Sequence, residues 1–267
     1  MTLIPADTVP VDDVSLAYRE YGSGYPVVLI NGLASTMDMW NPPVLARISE
    51  QFRVIIFDNR GTGYSCSSGK PLSISLLASD TATLMDALGI SSAHILGLSM
   101  GASIAQELIL SYPEKVTRLI LVAGESGGAE SVRAKPEIMT KLMDKNGTMQ
   151  DVANRMFSLL FPQSWLDTHD PLLYCPEIHE TTSGEMVARQ AAAFFGWTGS
   201  FSRLGDIHLP TLVITGTEDV IVPPVNADIL AGGIPRAQLV RIPDAGHGLM
   251  YQVPDRFSDC VLDFLNN

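Results

Sequence analysis

The sequence is poor in cysteine and has no long apolar run. Three of its 267 residues are cysteine, at Cys66, Cys175 and Cys260, which are too few and too scattered for a disulfide framework or a zinc site. No apolar run approaches the ~20 residues that a membrane-spanning helix needs. The first residues, Met1 to Pro5, lack the basic and apolar segments of a signal peptide. We therefore expect free thiols and a cytoplasmic protein.

Basic residues are also scarce. The chain has 17 Lys and Arg against 29 Asp and Glu, which gives a formal net charge of -12. Such a surface repels phosphate backbones and anionic lipid, so we expect no nucleic-acid partner and no membrane partner. Hydrophobic residues make up 46% and charged residues 17%, which excludes a disordered chain and predicts a sizeable buried core.

Several cofactor motifs are absent as well. The sequence contains neither H-E-x-x-H nor paired C-x-x-C, and it lacks the G-x-x-x-x-G-K-[ST] phosphate loop. Gly22-Ser23-Gly24 precedes an apolar run instead of following one, so it is not a dinucleotide-binding loop. We expect the protein to need no metal and no organic cofactor, and to rely on its side chains for chemistry.

What the sequence does contain is six short apolar runs bounded by turn residues. The first five are nearly continuous in aliphatic and β-branched residues, which is typical of strands buried on both faces of a parallel sheet. An earlier stretch, 7–20, alternates more and predicts a hairpin. The six runs are 26–30, 53–57, 94–98, 118–122, 211–215 and 237–242.

Helical patterns separate these runs. Residues 75–88, 100–112 and 255–265 carry apolar side chains at helical spacing. Strands that alternate with helices predict an α/β fold with a doubly wound, mostly parallel sheet. Ligands bind such sheets beyond the carboxyl ends of the strands.

The alternation of strand and helix stops between 125 and 205. This stretch is richer in Met, Gln and charged residues, and its spacing predicts several helices. We expect an α/β core at 1–125 and 206–267, with an inserted helical cap, or lid, at 126–205 over the strand ends. The predicted helices of the cap lie near 135–144, 150–160 and 184–195.

A candidate nucleophile lies in Gly97-Leu98-Ser99-Met100-Gly101, which matches the G-x-S-x-G elbow. The elbow is a very sharp strand-to-helix turn that exposes the serine oxygen, so the neighbours two positions away must be small. Here the motif follows an apolar run and opens an amphipathic pattern, as that turn requires. The pattern predicts Ser99 as a nucleophile.

His247 is the best candidate for the base that activates this serine. It lies between Gly246 and Gly248, just after the last predicted strand, so a flexible loop can carry the imidazole to the serine. It also completes the chain order serine, acid, histidine. The other histidines lie within a predicted strand, in the insertion or before a strand, at His94, His169, His179 and His208.

The acid that orients the imidazole is predicted in Gly216-Thr217-Glu218-Asp219, after the strand at 211–215. A carboxylate at this strand end can fix the imidazole tautomer and stabilise the imidazolium. Asp219 is our choice, and Glu218 is a close alternative because sequence alone places strand ends poorly. Glu125, after an earlier strand, is a third possibility.

Together, the elbow, the acid and the histidine resemble the α/β-hydrolase superfamily with a helical cap. The resemblance covers the whole chain and includes Asp58-Asn59-Arg60-Gly61-Thr62-Gly63-Tyr64-Ser65, which is similar to the D-x-R-G-x-G-x-S loop of that family. This likeness implies a structural loop, with glycines in tight turns and Arg60 in loop packing. A serine elbow, in place of an aspartate, argues against epoxide hydrolysis and dehalogenation.

The resemblance also implies an oxyanion hole. Where the family has His-Gly after the first parallel strand, this chain has Asn31-Gly32-Leu33. The donors are then the backbone N–H groups of Leu33 and Met100, which survive the change to asparagine. Asn31 and the following Met39-Trp40 are similar to the enol-lactonase and related esterase branch, and whether Asn31 adds a side-chain donor stays open. We expect a pocket lined by Asn31, Gly32, Trp40, Phe157, Phe161 and Trp197.

The expected activity is cleavage of a small apolar carboxylic ester or lactone through a covalent acyl-enzyme. The resemblance leaves cofactor-free perhydrolysis open, as in haloperoxidase-like members, and also thioester cleavage and C–C bond hydrolysis. A ligand-binding protein without turnover is an alternative of another class, because function does not follow from fold.

Overall fold

An eight-stranded sheet forms the centre of the computed structural model, which describes residues 6–144 and 146–267. The expectation for the stretch Met1 to Pro5 concerns residues outside this description. The order across the sheet is β1-β2-β4-β3-β5-β6-β7-β8. The strands are β1 (Asp7–Val11), β2 (Val14–Tyr21), β3 (Pro26–Ile30), β4 (Arg53–Phe57), β5 (Ala93–Leu98), β6 (Val116–Val122), β7 (Thr211–Gly216) and β8 (Ala237–Ile242).

The sheet is parallel from β4 to β8, and β1 and β2 add an antiparallel edge. Both faces of the inner strands are buried. In β3, Val28 and Ile30 pack into one apolar cluster while Val27 and Leu29 pack into the other. This two-sided burial explains the continuous apolar runs of the sequence, and it confirms the doubly wound α/β sheet.

Helices cover both faces. Buried residues of α2, α3 and α8 belong to one apolar cluster, and those of α1 and α10 belong to the other. The helices are α1 (Pro42–Ser49), α2 (Ile74–Ala87), α3 (Met100–Ser111), α4 (Pro136–Met143), α5 (Met149–Leu160), α6 (Gln163–Leu166), α7 (Gly184–Phe195), α8 (Val225–Gly233), α9 (Leu249–Gln252) and α10 (Pro254–Asn266).

Helices α4 to α7 interrupt the strand–helix alternation between β6 and β7, where the sequence predicted an insertion. They differ in burial. Helix α4 has no buried residue, whereas α7 buries Met186, Gln190, Ala191 and Phe194 along one side. One polar side chain, that of Gln190, therefore lies within the apolar side of α7. No helix in the described ranges is both long and apolar enough to cross a membrane.

Candidate active site

Ser99 lies between the end of β5 and the start of α3, in a backbone conformation that is rare outside glycine. Its φ is 56° and its ψ is -120°. Small neighbours permit this turn, because a β-carbon on Gly97 would overlap the carbonyl oxygen of Gly101, and one on Gly101 would overlap that of Ile30. The spacing of the elbow motif is therefore a steric requirement.

Backbone contacts hold this strained residue. Ser99 N–H donates to the carbonyl of Val122 at the end of β6 (2.9 Å), and the Ser99 carbonyl accepts from Ala102 N–H (2.8 Å). The chain also approaches closely at Gly32, where a β-carbon would lie 3.6 Å from Ser99 Oγ. The elbow is thus hydrogen-bonded to β6 and within α3, and the loop after β3 packs against it.

His247 is oriented by the carboxylate of Asp219. Asp219 Oδ2 lies 2.7 Å from His247 Nδ1, so Nδ1 donates and Nε2 is left as the basic nitrogen. The other carboxylate oxygen, Oδ1, accepts the backbone N–H groups of Ile221 and Val222, each at 2.9 Å. Since Asp219 is 3% exposed, these bonds fix the acid and through it the ring.

The other two acids considered from the sequence form no hydrogen bond with His247 in the described ranges, although Glu125 lines the same cavity as Ser99. Glu218 is exposed, and its backbone N–H donates to the carbonyl of Ala245 (2.9 Å). The carboxylate of Glu125 forms an ion pair with Arg133, and burial raises the pKa of Glu125. Within the described residues neither carboxylate bonds to the imidazole, so the geometry favours Asp219.

The loops after β7 and β8 are joined by close backbone contacts. Thr217 N–H donates to the carbonyl of Ile242 (3.0 Å), and a β-carbon on Gly216 would overlap the carbonyl oxygen of Ala245. This approach brings the carboxylate and the imidazole together although they are 28 residues apart in the chain.

The glycines beside His247 serve the docking of the insertion, where the sequence suggested loop flexibility. Gly248 N–H donates to the carbonyl of Leu160 at the end of α5 (2.8 Å), and a β-carbon on Gly248 would lie 2.6 Å from the ring of Phe161. On the other side, Gly246 N–H donates to Gln252 Oε1 (2.7 Å). The histidine loop is therefore clamped from two directions.

Two backbone N–H groups beside Ser99 suit a developing negative charge. Met100 opens α3, where the first N–H groups of a helix lack an intrahelical acceptor and the helix dipole favours anions. Leu33 follows Gly32 and lines the cavity, and among the described residues its N–H has no acceptor.

The loop that resembles D-x-R-G-x-G-x-S holds its neighbours by hydrogen bonds. The carboxylate of Asp58 accepts from the N–H groups of Met37 (2.7 Å) and Tyr64 (2.9 Å), while burial raises its pKa to about 6. The Arg60 guanidinium pairs with Asp80 at 2.5 and 2.6 Å, and both side chains are buried. These contacts give the loop the structural role that the resemblance implied.

A cavity of about 710 Å³ lies between the loops of the core and the insertion. Ser99 and His247 both line it, although no hydrogen bond joins them within the described residues. In ligand-free sites that bond is often long and tightens only when substrate binds. Apolar side chains from the insertion form much of the remaining wall, including Met139, Leu142, Met156, Phe157, Phe194 and Phe195.

The structure corrects the predicted pocket. Gly32 and Phe157 line the cavity, but the other four predicted residues do not. Trp40 is 1% exposed in the core, and Asn31 is also buried. Trp197 is buried with its indole N–H donating to Glu107 Oε1 (2.8 Å), and Phe161 stacks on Trp165 beneath the histidine loop. Side-chain direction, which the sequence does not reveal, decides these cases.

Some contacts of the site carried no recognisable sequence signal. The backbone N–H groups that hold the acid come from Ile221 and Val222, and backbone donors leave no mark on residue type. Arg133 lines the cavity from a segment outside every predicted helix. Gln190, which was not predicted from the sequence, does have a signal there: its spacing places it on the same side of α7 as Met186 and Phe194. No group of three metal-ligating side chains occurs in the ranges described above.

Known proteins are similar to this chain over nearly its full length. RutD of Azorhizobium caulinodans, provisionally named a carbamate hydrolase, is 30% identical over 262 residues, which is 94% of this chain and 95% of that protein. BpoC of Mycobacterium tuberculosis, provisionally named a non-heme bromoperoxidase, is 30% identical over 261 residues, covering 94% and 97%. The crystal structure of the enol-lactonase from Burkholderia xenovorans superimposes with a TM-score of 0.82 at 27% identity, covering 98% and 100%.

A family profile agrees with these likenesses. The profile of the alpha/beta hydrolase fold matches residues 25–254, from the start of the parallel sheet to the start of α10. With the elbow at Ser99 and the mostly parallel eight-stranded sheet, this match decides the family. The chain belongs to the α/β-hydrolase fold family.

Proposed function

We propose that this protein is a serine hydrolase that cleaves a small, apolar carboxylic ester or lactone. The supporting observation is the 2.7 Å contact between Asp219 Oδ2 and His247 Nδ1, beside a cavity that Ser99 also lines. An imidazole held by a buried carboxylate has its second nitrogen available as a base, which is what a serine nucleophile needs. The proposal needs no metal and no organic cofactor.

Acylation begins when His247 Nε2 takes the Ser99 proton as Oγ bonds to the substrate carbonyl carbon. The carbonyl electron pair moves onto oxygen, and the N–H groups of Leu33 and Met100 stabilise this oxyanion. Each such donor contributes about 3 kcal/mol in enzymes where it has been removed. Asp219 stabilises the imidazolium, which then donates its proton to the leaving alkoxide.

Deacylation follows the same steps with water as the nucleophile. The imidazole takes a proton from water as the water oxygen bonds to the acyl carbon. The oxyanion again lies against the N–H groups of Leu33 and Met100. When the tetrahedral intermediate collapses, the bond to Ser99 Oγ breaks and the serine recovers its proton from His247. A lactone follows the same two steps, but its leaving alcohol stays attached to the acid.

The cavity supports a compact apolar substrate. Its volume of about 710 Å³ lies within the range of small-molecule sites, and Met139, Met156 and Phe157 give it an adaptable wall. The enol-lactonase with which the structure superimposes acts on a lactone according to its name, which favours including lactones.

The test is a panel of short p-nitrophenyl esters, lactones and thioesters ranked by kcat/KM, with Ser99→Ala as the reference. We expect turnover of at least one ester or lactone and a loss of at least ~1000-fold in Ser99→Ala. Labelling of Ser99 by a fluorophosphonate without any turnover would instead indicate a ligand-binding protein. A wild-type rate that survives in Ser99→Ala would refute the proposal.

The names of two relatives suggest two further reactions to test. The name of BpoC favours testing perhydrolysis, in which hydrogen peroxide replaces water in deacylation and releases a peracid. The name of RutD favours adding a carbamate to the panel, since its carbonyl is attacked in the same way. Either would require Ser99, so Ser99→Ala serves as the control for both.

A further inference from the structure

The loop that carries the expected oxyanion donor is held by the insertion. Ala34, directly after Leu33, has a φ of 63°. This left-handed conformation is strained for any residue that has a β-carbon. Both of its backbone polar groups bond to side chains of the insertion. Ala34 N–H donates to Gln190 Oε1 (2.8 Å), and the Ala34 carbonyl accepts from Thr182 Oγ1 (3.1 Å).

The contact with Gln190 is unusual in its surroundings. Gln190 has no exposed surface and lies on the apolar side of α7, one turn from Met186 and one turn from Phe194. In the described part of the chain its Nε2 has no hydrogen-bond partner. The buried amide of Gln190 makes one hydrogen bond through its oxygen and none through its nitrogen, so it contributes little to the free energy of folding. Stability therefore does not account for a glutamine at this position.

Thr36 and Asp38, further along the same loop, also bond to the insertion. Thr36 Oγ1 donates to the carbonyl of Glu180 (3.3 Å). Asp38 Oδ2 accepts the backbone N–H groups of His179 (3.0 Å) and Glu180 (3.2 Å), while its Oδ1 pairs with Arg19 from β2 at 2.6 Å. The insertion therefore contacts the loop at Ala34, Thr36 and Asp38.

We propose that Gln190, assisted by Thr182, is a positioning residue that sets the orientation of the Leu33 N–H in the oxyanion hole. By holding the Ala34 peptide in its left-handed conformation, Gln190 fixes the turn that begins at Gly32. The insertion thus completes the catalytic site in addition to covering it. This inference rests on the proposed function, because it assigns Leu33 to the oxyanion.

The principal variant is Gln190→Met, which keeps the length of the side chain and removes the acceptor for Ala34 N–H. A displaced donor weakens the transition state of both half-reactions, so we expect kcat/KM to fall between about 10-fold and 100-fold. Acylation and deacylation should slow together, and the shape of the pH–rate profile should be unchanged. Gln190→Glu, which keeps an acceptor oxygen, should recover most of the rate.

A reversible oxyanion probe separates positioning from a merely structural role. A trifluoromethyl ketone forms a hemiketal with Ser99: Oγ bonds to the carbonyl carbon, the carbonyl pair becomes the oxyanion and the serine proton passes to His247. We expect Gln190→Met to weaken this inhibitor by the same factor that it lowers kcat/KM. The corresponding secondary alcohol, which forms no adduct, should bind both proteins equally.

Stability supplies the second readout. Because the variant removes one hydrogen bond and also one unsatisfied buried amide, we expect its Tm to stay within about 4 °C of wild type. Gln150→Met, at an exposed glutamine of α5, is the matched control and should leave both kcat/KM and Tm unchanged. Thr182→Val removes the other contact of Ala34 at a half-buried position and should show a weaker form of the same signature.

The outcomes are distinguishable. Wild-type kinetics and ketone affinity in Gln190→Met and Thr182→Val would overturn the inference, while the loss of activity in Ser99→Ala would leave the proposed function standing. If Gln190→Met does not fold, Thr182→Val decides the question by the same ketone comparison. Equal weakening of the ketone and the alcohol would mean a general disturbance of the cavity and would also overturn it.

Discussion

Ser99 and Ala34 have the positive φ values 56° and 63° without being glycine, and they lie on loops that meet beside the cavity. Strained residues of this kind persist only where their surroundings over-determine them. For Ser99 the surroundings are β6 and α3, and for Ala34 they are two side chains of the insertion. Strain therefore marks both the expected nucleophile and the expected oxyanion loop.

The choice between two adjacent acids can be tested by neutralising each of them. We expect Asp219→Asn to lower kcat by about 10³- to 10⁴-fold, because the amide cannot hold the imidazole in the required tautomer. Glu218→Gln is the matched control, since its side chain is exposed and should leave kcat near the wild-type value. Steady-state kinetics on one activated ester suffices, and equal losses in both variants would contradict the assignment.

Residue identity and spacing predicted Ser99, Asp219 and His247 as site residues, because the elbow and the loop ends impose local requirements that the sequence records. The structure joins Asp219 to His247 and lines one cavity with His247 and Ser99. The wall of the cavity was less predictable. Trp40, in a loop of the core, and Phe157, in a predicted helix of the insertion, are both large apolar residues, yet only Phe157 lines the cavity while Trp40 is buried in the core. Which way an apolar side chain points depends on tertiary packing.

Among the elements, the buried parallel strands were the most predictable. The first five runs are nearly continuously apolar, whereas the sixth belongs to β8, which is mostly half-buried or exposed. Each predicted run overlaps a strand from β3 to β8 with ends that differ by at most two residues. Helices α1, α6, α8 and α9 were not predicted, and α6 and α9 are only 4 residues long. Helix α1 begins with Pro42-Pro43 and is 8 residues long, and α8 ends with Gly232-Gly233, so neither carries a long amphipathic pattern.

Two helical glycines allow the elbow packing to be tested. Gly101→Ala places a methyl group against the carbonyl of Ile30, so we expect the free energy of unfolding to fall by at least about 2 kcal/mol and activity to fall with it. Gly232→Ala, in α8, meets no atom within 4 Å and should stabilise by up to about 1 kcal/mol. Urea unfolding measures both, and a neutral Gly101→Ala would contradict the steric account.

Across the whole molecule, the site lies at the carboxyl ends of the strands and a buried histidine lies at the other end of β5. The ring of His94 bonds to Thr117 Oγ1 through Nδ1 (2.8 Å). Burial, assisted by the charge of Arg118, lowers the pKa of His94 to about 4. Because His94 lies away from the site, we expect its protonation to change the free energy of unfolding and not the rate of catalysis.

The pH dependence of stability follows from that lowered pKa. Because the folded pKa lies below the unfolded value of about 6.5, His94 contributes stability that is present above pH 6.5 and lost as the pH falls toward 4. We expect about 2 kcal/mol of this loss between pH 7 and pH 5, measured as the difference between wild type and His94→Gln in thermal unfolding.

The comparison with His94→Gln is needed because Asp58 acts in the opposite direction. Its pKa is raised to about 6, so its contribution is present below about pH 4 and is lost as the pH rises through 6. Both proteins contain Asp58, and the difference between them isolates His94. Parallel pH profiles for the two proteins would show that His94 is not the titrating group.

The proposed reaction passes through a covalent bond between Ser99 and the acyl group of the substrate. Its most direct test is intact-protein mass spectrometry after rapid mixing with an activated ester that deacylates slowly, followed by peptide mapping. We predict one added acyl group per chain in wild type, on the peptide that carries Ser99, and none in Ser99→Ala. Turnover of the same ester without an adduct on Ser99, or an equal adduct in Ser99→Ala, would rule out Ser99 as the nucleophile.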